Sequence, residues 1–441
     1  MSRHLKYVLA FSFLILSLFS RAASILMPMD EAQKDHLKAY GVAFWVLKNG
    51  GEVDWLLNYR GGSFMTRYDV KAENECKIRG VSYEIVPDGK VAQIVALIND
   101  PSVNMDLVKL EKAPRMAVYS PRNKGPLEDA VVLVLNYAEI PFDYVYDEEV
   151  LKGELPKYDW LHLHHEDFTG QYSKFNGGLL GGMTVKSNPF NTNATGSIAS
   201  NQNWYVEDRK TQEDRAHRMG FKKVSKMKLA VAQNIRDFCA GGGFLFAMCS
   251  GADSFDIALA AANTDICDAK YDGDGIDPKA QSKLDFSQTV AFQNFTVALN
   301  PFARNFSDID VGHSRMVDRA HDFFTLFEFS AKWDVVPSML TQDHERVIKG
   351  FMGLATAFKK DKLKPGVTIL GELKTANEAR YIHGEYGKGQ WTFYGGHDPE
   401  DYQHSFTEPP TDLSLHPNSP GYRLILNNVL FPAAKKRKQK T

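Results

Sequence analysis

The sequence predicts an α/β protein: a parallel sheet covered by helices, preceded by a small α+β region. Three observations predict it. From residue 115 onward, short apolar runs alternate with stretches of helical spacing through short links, which is the pattern of a parallel sheet wrapped by helices. The run FLFAM at 244–248 shows no polar alternation, as a strand buried on both faces should. The 441 residues, 44% hydrophobic and 24% charged, supply an ordinary globular core and suggest two or three domains at about 150 residues each.

The elements follow in order. Arg3, His4 and Lys6 precede the apolar run 7–19, and Ser20-Arg21-Ala22 then offers small residues, which reads as a cleaved signal peptide over 1–23. A spanning helix needs about 20 apolar residues, so an uncleaved anchor is the weaker alternative. A secreted or periplasmic protein without an integral membrane segment after processing is expected. Residues 24–112 form the α+β region, with a helix at 30–39 and β-rich runs at 41–47 and 53–59. Asn49-Gly50 between those runs is a hairpin signal, and the region continues through a run at 81–86.

Residues 113–432 carry the α/β domain. Strands are expected at 115–119, 142–146 and 158–164, with a helix at 126–140 opened by proline. The helix 224–240 stops at Gly241-Gly242-Gly243, and strand 244–248 leads into helix 252–262. Between 265 and 350 the pattern loosens, as an insertion would. Strands return at 367–370, 379–383 and 390–394, and an amphipathic helix spans 422–430. A basic tail, 433–441, closes the chain.

Lys+Arg 52 against Asp+Glu 54 leaves a net charge of −2, so the electrostatic attraction of a general nucleic-acid binder is missing and no nucleic acid is expected. The four cysteines, Cys76, Cys239, Cys249 and Cys267, are too few for a disulfide scaffold. In an exported protein they can pair in three ways, or one can be a working thiol.

The elbow is the sharpest feature. Strand 244–248 runs into Cys249 and opens at once into a helix, with the small Ser250 and Gly251 relieving the turn. A thiol there is exposed above the sheet, the helix N-terminus favours its thiolate, and the Ser250 amide points where an oxyanion would form. The same pattern also suits a buried structural cysteine. A distant run, Gly387-Lys388-Gly389 to Gly395-Gly396-His397-Asp398-Pro399-Glu400, ends a second strand in a histidine at the C-terminal sheet edge. Cys249 and His397 then sit at matching strand ends, as a thiolate–imidazolium pair requires.

This pairing resembles the class I glutamine amidotransferase-like superfamily over about residues 113–432. The resemblance implies a flavodoxin-like domain and a Cys-His-Glu triad: Cys249 as nucleophile, His397 as base, and Glu400 or Asp398 as the orienting acid. The family commonly places its Glu two residues after His, where this chain has Pro399, so the third member stays open between Asp398 and Glu400. The runs 58–62 (NYRGG) and 160–170 (WLHLHHEDFTG) further resemble exported Bacteroidetes-type proteins labelled "asparagine synthetase B". That label implies an N-terminal catalytic Cys and a Ser-Gly-Gly-x-Asp-Ser loop for ATP, and this chain shows neither.

Other constellations carry alternatives. His162, His164, His165 and Glu166, with Asp167, line the cleft, bind metal, or are structural; in a strand His162 and His164 share a face and His165 opposes them. Gly177-Gly178 and Gly181-Gly182 supply a lid, a second oxyanion amide, or a plain loop. Asp268, Asp272, Asp274 and Asp277 suit calcium or a solvated acidic turn, with Lys270 out of place for a calcium loop. Gly387-Lys388-Gly389 reads as a hairpin turn before a phosphate cradle, and His344 is a further cleft candidate. The expected function is thiol-dependent hydrolysis or transfer at an amide of a small molecule or peptide, with no cofactor and no metal in the site. The rival is a catalytically silent binding module for a sugar or peptide.

Overall fold

The computed structural model describes residues 23–121, 129–164, 166–171, 198–301, 303, 305–310, 322–350, 355, 357–401 and 409–434. Its first sheet comprises β1 (Ala23–Met27), β2 (Val53–Leu57), β3 (Ser63–Arg67), β4 (Glu84–Pro87) and β5 (Asp106–Leu110). They are ordered β4-β1-β3-β2-β5 and paired antiparallel throughout. Helix α1 (His36–Lys48) lies between β1 and β2, and α2 (Val70–Arg79) and α3 (Asp88–Asn99) flank β4. The chain then builds β6 (Met116–Tyr119), α4 (Ala130–Tyr137), β7 (Asp143–Val145), α5 (Asp147–Leu151), β8 (Trp160–Leu163), α6 (Ile198–Arg218), α7 (Val224–Ala240), β9 (Phe244–Met248) and α8 (Ser250–Ala260). After α9 (Ala269–Asp272) come β10 (Phe323–Leu326), α10 (Val335–Leu340), β11 (Val347–Lys349), β12 (Phe358–Lys359), β13 (Thr368–Leu373), β14 (Glu378–Tyr386), β15 (Gly389–Tyr394) and α11 (Pro420–Leu430).

The second sheet has ten strands and is mixed. Its parallel part runs β7-β6-β8-β9-β15, so its five strands in chain order stand 2-1-3-4-5. The remaining strands extend it antiparallel beyond β15 as β14, β13, β10 and β11, with β12 also on β14. The loosened stretch before residue 350 thus contributes two strands to the same sheet.

Period-2 alternation divides the apolar residues between cores. Met116, Val118, Phe246 and Met248 enter one cluster, while Ala117, Tyr119, Leu245 and Ala247 enter another on the opposite face. The first cluster also takes Ile25, Trp55, Phe64 and Val108 from the first sheet, and the side chains of α1, α4 and α11 between the two sheets. A third cluster covers the outer face of the first sheet with Ile94 and Ile98 of α3.

This layering corrects the reading of residues 41–47 as a strand. They lie inside α1, which begins at an Asp35 cap and is buried nearly all round, so no polar face marks its period. Asn49 and Gly50 (φ 81°) end that helix and do not turn a hairpin.

The inner helices are pinned by a buried cation. Arg423 of α11 donates to the Met29 carbonyl (3.0 Å), the Tyr40 hydroxyl (3.2 Å) and the Gly61 carbonyl, joining the last helix to α1 and to the end of the β1–β3 pair where the end of β1 meets the start of β3. His344 stacks on His36 beside it, ring centroids 4.2 Å apart. Burial, then the Arg423 charge, presses His36 down to about 3, so it stays neutral at physiological pH. Replacing Arg423 with Met should cost about 3 kcal/mol, because it strands buried carbonyls that the guanidinium satisfies. Urea unfolding checks this, and a loss below about 1 kcal/mol would show that the cation does not pin the layer.

Candidate active site

Cys249 occupies the first position beyond β9, with φ 51° and ψ −140°. A non-glycine residue held at that φ costs on the order of 1–3 kcal/mol and persists only where its surroundings fix it. They do so by three backbone contacts. The Cys249 N–H donates to the Gly396 carbonyl at 3.0 Å, the Ala252 N–H donates back to the Cys249 carbonyl at 3.1 Å, and the Gly251 N–H donates to the His164 carbonyl. Gly251 has to be glycine, since a Cβ there would lie 2.1 Å from that same oxygen. Asp256, one turn further on, accepts the N–H groups of Val290, Ala291 and Phe292 at 2.8 Å each and ties α8 to the following loop.

The parallel pairing of β9 with β15 sets Met248 opposite Tyr394, and the Gly395-Gly396 turn then brings His397 over the elbow. β8, on the other side of β9, delivers His164. One ligand atom from each of His164, Cys249 and His397 lies within 4.8 Å of the other two. The two imidazoles are 4.7 Å apart between centroids, and Cys249, His164 and His397 are 1%, 2% and 6% exposed. Ser250, fully buried, begins α8 and puts its N–H at the helix's positive end.

A carboxylate that faces this cluster comes from a residue sequence reasoning did not single out. Asp129 caps α4, its Oδ1 accepting the N–H of Val131 (2.8 Å) and of Val132 (3.1 Å). The same oxygen lies 3.1 Å from His164 Nδ1 and 3.3 Å from His162 Nε2. Burial opposes the Asp129 charge, but His162 and His164 outweigh it and hold the carboxyl well below the usual range. Burial pushes His162 down against the pull of Asp129. As the alternation required, His162 and His164 share a face and a partner. An Asp before an apolar helical run signals a cap in sequence, but nothing in the sequence links that cap to the histidines.

The remaining candidates have other partners. Asp398 accepts the hydroxyls of Tyr422 and Thr411 at 2.7 Å each and the Glu400 N–H at 2.8 Å. Glu400 accepts the Ser419 hydroxyl at 2.5 Å and lies 3.4 Å from His416 Nδ1. Glu166 accepts the Tyr146 hydroxyl (2.9 Å) and faces Lys228 Nζ (3.7 Å), which is held by Tyr119, Tyr146 and Asp147 at 3.0–3.1 Å. His165 and the glycines at 177–178 and 181–182 lie outside the described residues.

In the acidic loop, Asp268 caps α9, and Lys223 Nζ sits among Asp265 (2.9 Å), Asp272 (3.1 Å) and Asp274. A lysine therefore stands where calcium was weighed. Gly387 and Lys388 turn the β14–β15 hairpin, and His344 lies between the sheets beside Arg423. All four cysteines are free thiols.

No protein-family model and no curated protein matches the chain. Among solved structures, two cytoplasmic proteins of Salmonella typhimurium, one of them from strain LT2, share 11% and 12% identity with it. Each is matched over 73% of this chain and 100% of its own, at TM-scores of 0.34 and 0.36. A GH42 beta-galactosidase shares 11% identity over 65% of this chain and 28% of its own, at a TM-score of 0.25. Likenesses this distant carry no argument about activity. Those two Salmonella proteins are designated cytoplasmic, and the secreted or periplasmic location expected from the N-terminal run is not carried further. Among the described residues, no helix is long and apolar enough to cross a membrane.

The strain at the elbow has a measurable signature. Cys249→Gly should be more stable than Cys249→Ala by about 1 kcal/mol, because glycine takes a positive φ freely while both variants lose the thiol. Equal stabilities in chemical denaturation would mean that the turn relaxes without it.

Proposed function

We propose that this chain is a thiol-dependent hydrolase or amidotransferase-type enzyme acting on an amide of a small molecule or peptide. Residues 113–432 would form a flavodoxin-like unit of the class I glutamine amidotransferase-like kind. The observation that carries the reading is the strained Cys249 at a strand-to-helix elbow, with the His397 and His164 imidazoles within 4.8 Å. The 2-1-3-4-5 order of the parallel strands supports the flavodoxin-like part, and the cluster lies at their C-terminal edge, where such folds place their sites.

In this reading the Cys249 thiolate attacks the carbonyl carbon, forming a C–S bond while the oxygen takes the negative charge facing the Ser250 N–H. His397, protonated by the thiol, gives that proton to the leaving nitrogen as the C–N bond breaks. Water, deprotonated by His397, then cleaves the thioester and returns the thiol. Asp129 and His164 take the orienting role for which either Glu400 or Asp398 was expected, as those two carboxylates accept hydroxyls of Ser419, Thr411 and Tyr422.

Two measurements test this. Burial pushes the thiols of Cys76 and Cys239 up to about 12 and holds that of Cys267 well above its ordinary value, so iodoacetamide at pH 7 should label Cys249 at least about tenfold faster than the other three. Equal rates would favour the binding module. On a substrate found by screening amides, Cys249→Ala and His397→Ala should each lower kcat by about 10³-fold or more, and the double variant should be scarcely worse, as for residues that act as a unit. Near-normal turnover in either folded single variant would remove it from the mechanism.

A further inference from the structure

The same three side chains make a donor set that thiol chemistry alone does not require. Two imidazoles and one thiolate are the nitrogen and sulfur ligands that zinc prefers, and three protein ligands with one open position is the arrangement of a reactive rather than a structural zinc site. We propose that His164, Cys249 and His397 bind one Zn²⁺ or a similar soft divalent ion, and that the bound metal masks the Cys249 thiol.

Geometry, burial and support carry this. Zn–N bonds near 2.0–2.1 Å and Zn–S bonds near 2.3 Å place two nitrogens and a sulfur in tetrahedral positions roughly 3.3–3.6 Å apart. The three ligand atoms already lie within 4.8 Å of one another, so side-chain rotations of about 1 Å close the set. The backbone that presents them is fixed, because Cys249 and Gly251 are hydrogen-bonded to Gly396, next to His397, and to His164 itself. Asp129 adds the support that ligating histidines require: with His164 Nδ1 held 3.1 Å from its carboxylate, Nε2 is the nitrogen left to a metal, in a carboxylate–histidine–metal relation. By contrast, the other sulfur-containing cluster among the described residues, Asp265, Cys267 and Asp272, already holds the Lys223 ammonium between its two carboxylates.

Metal binding and amide chemistry compete for one thiolate, since a sulfur lone pair donated to zinc is withdrawn from nucleophilic attack. The proposal does not depend on the amide reading, because coordination needs only the donor set.

The test uses the full chain, stripped with a chelator, desalted and titrated with ZnCl₂ or CoCl₂. One equivalent of zinc per chain should be retained, cobalt should give a sulfur-to-metal charge-transfer band, and zinc should slow iodoacetamide labelling of Cys249 at least tenfold. Cys249→Ser should abolish the band, and His397→Ala should weaken binding by at least tenfold. Asp129→Asn, which keeps the helix cap, should weaken it 10–100-fold with an unchanged circular dichroism spectrum. Absence of saturable binding at one equivalent, or a band that persists in Cys249→Ser, would overturn the site. Labelling of the metal-free chain tests the thiol reading separately, so either proposal can fail without the other.

Discussion

The site depends on one backbone relation, the parallel pairing of β9 with β15. Cys249 and His397 lie 148 positions apart in sequence, and no local propensity brings them together. Five consecutive register pairs, ending with Met248 opposite Tyr394, do so, and the hydrogen bond from Cys249 N–H to Gly396 carries the alignment one step past the sheet. Because side chains alternate with period 2, slipping this register by one residue would send Phe246 and Met248 into the opposite core and would draw Cys249 away from His397. Packing therefore enforces the alignment, and the strained φ of Cys249 is sustained by apolar burial elsewhere.

A second constraint acts at right angles to the sheet. α1, α4 and α11 fill the space between the two sheets, so each must be apolar on nearly every side, and the polar groups that enter this layer need partners inside it. Arg423 meets that requirement with backbone carbonyls and the Tyr40 hydroxyl. Asp129 meets it at the layer's edge, where the N-terminus of α4 reaches the C-terminal edge of the large sheet. One carboxylate oxygen there caps a helix and faces two histidines, so the inner layer and the candidate site share a residue.

Much of the second sheet was legible in sequence, and the reasons are physical. β9, α7 and β15 are long or strongly patterned, bounded by glycines, and were placed within a residue or two of their observed ends. The elbow was legible because a buried strand, a cysteine and two small residues leave few other conformations. α1 was not, because a helix buried on all sides has the same apolar continuity as a buried strand. β10 and β11 were not, because short antiparallel additions take their pairing from distant residues. Asp129 was not legible, since the sequence reading set it inside a helix begun at Pro126, and its contact with His164 and His162 exists only once β6, β8 and α4 are assembled. The hydroxyls of Thr411, Ser419 and Tyr422 that donate to Asp398 and Glu400 come from segments the sequence does not place beside them.

The proton inventory around Asp129 shows what the arrangement can do. Its Oδ1 takes two backbone N–H groups and lies within 3.3 Å of one nitrogen from each of two histidines, which is why the carboxyl stays ionised although it is removed from bulk solvent. His162 faces acceptors on both sides, Asp129 Oδ1 and the Phe246 carbonyl at 3.2 Å, yet burial disfavours its doubly protonated form. A neutral His162 therefore places its proton on one of these and leaves the other with a lone pair. His164 presents its Nδ1 to the same oxygen at 3.1 Å, so one carboxylate sets the approach of both rings. Asp129 thus faces His162 and His164 together, while His397 reaches His164 and Cys249 from the end of β15.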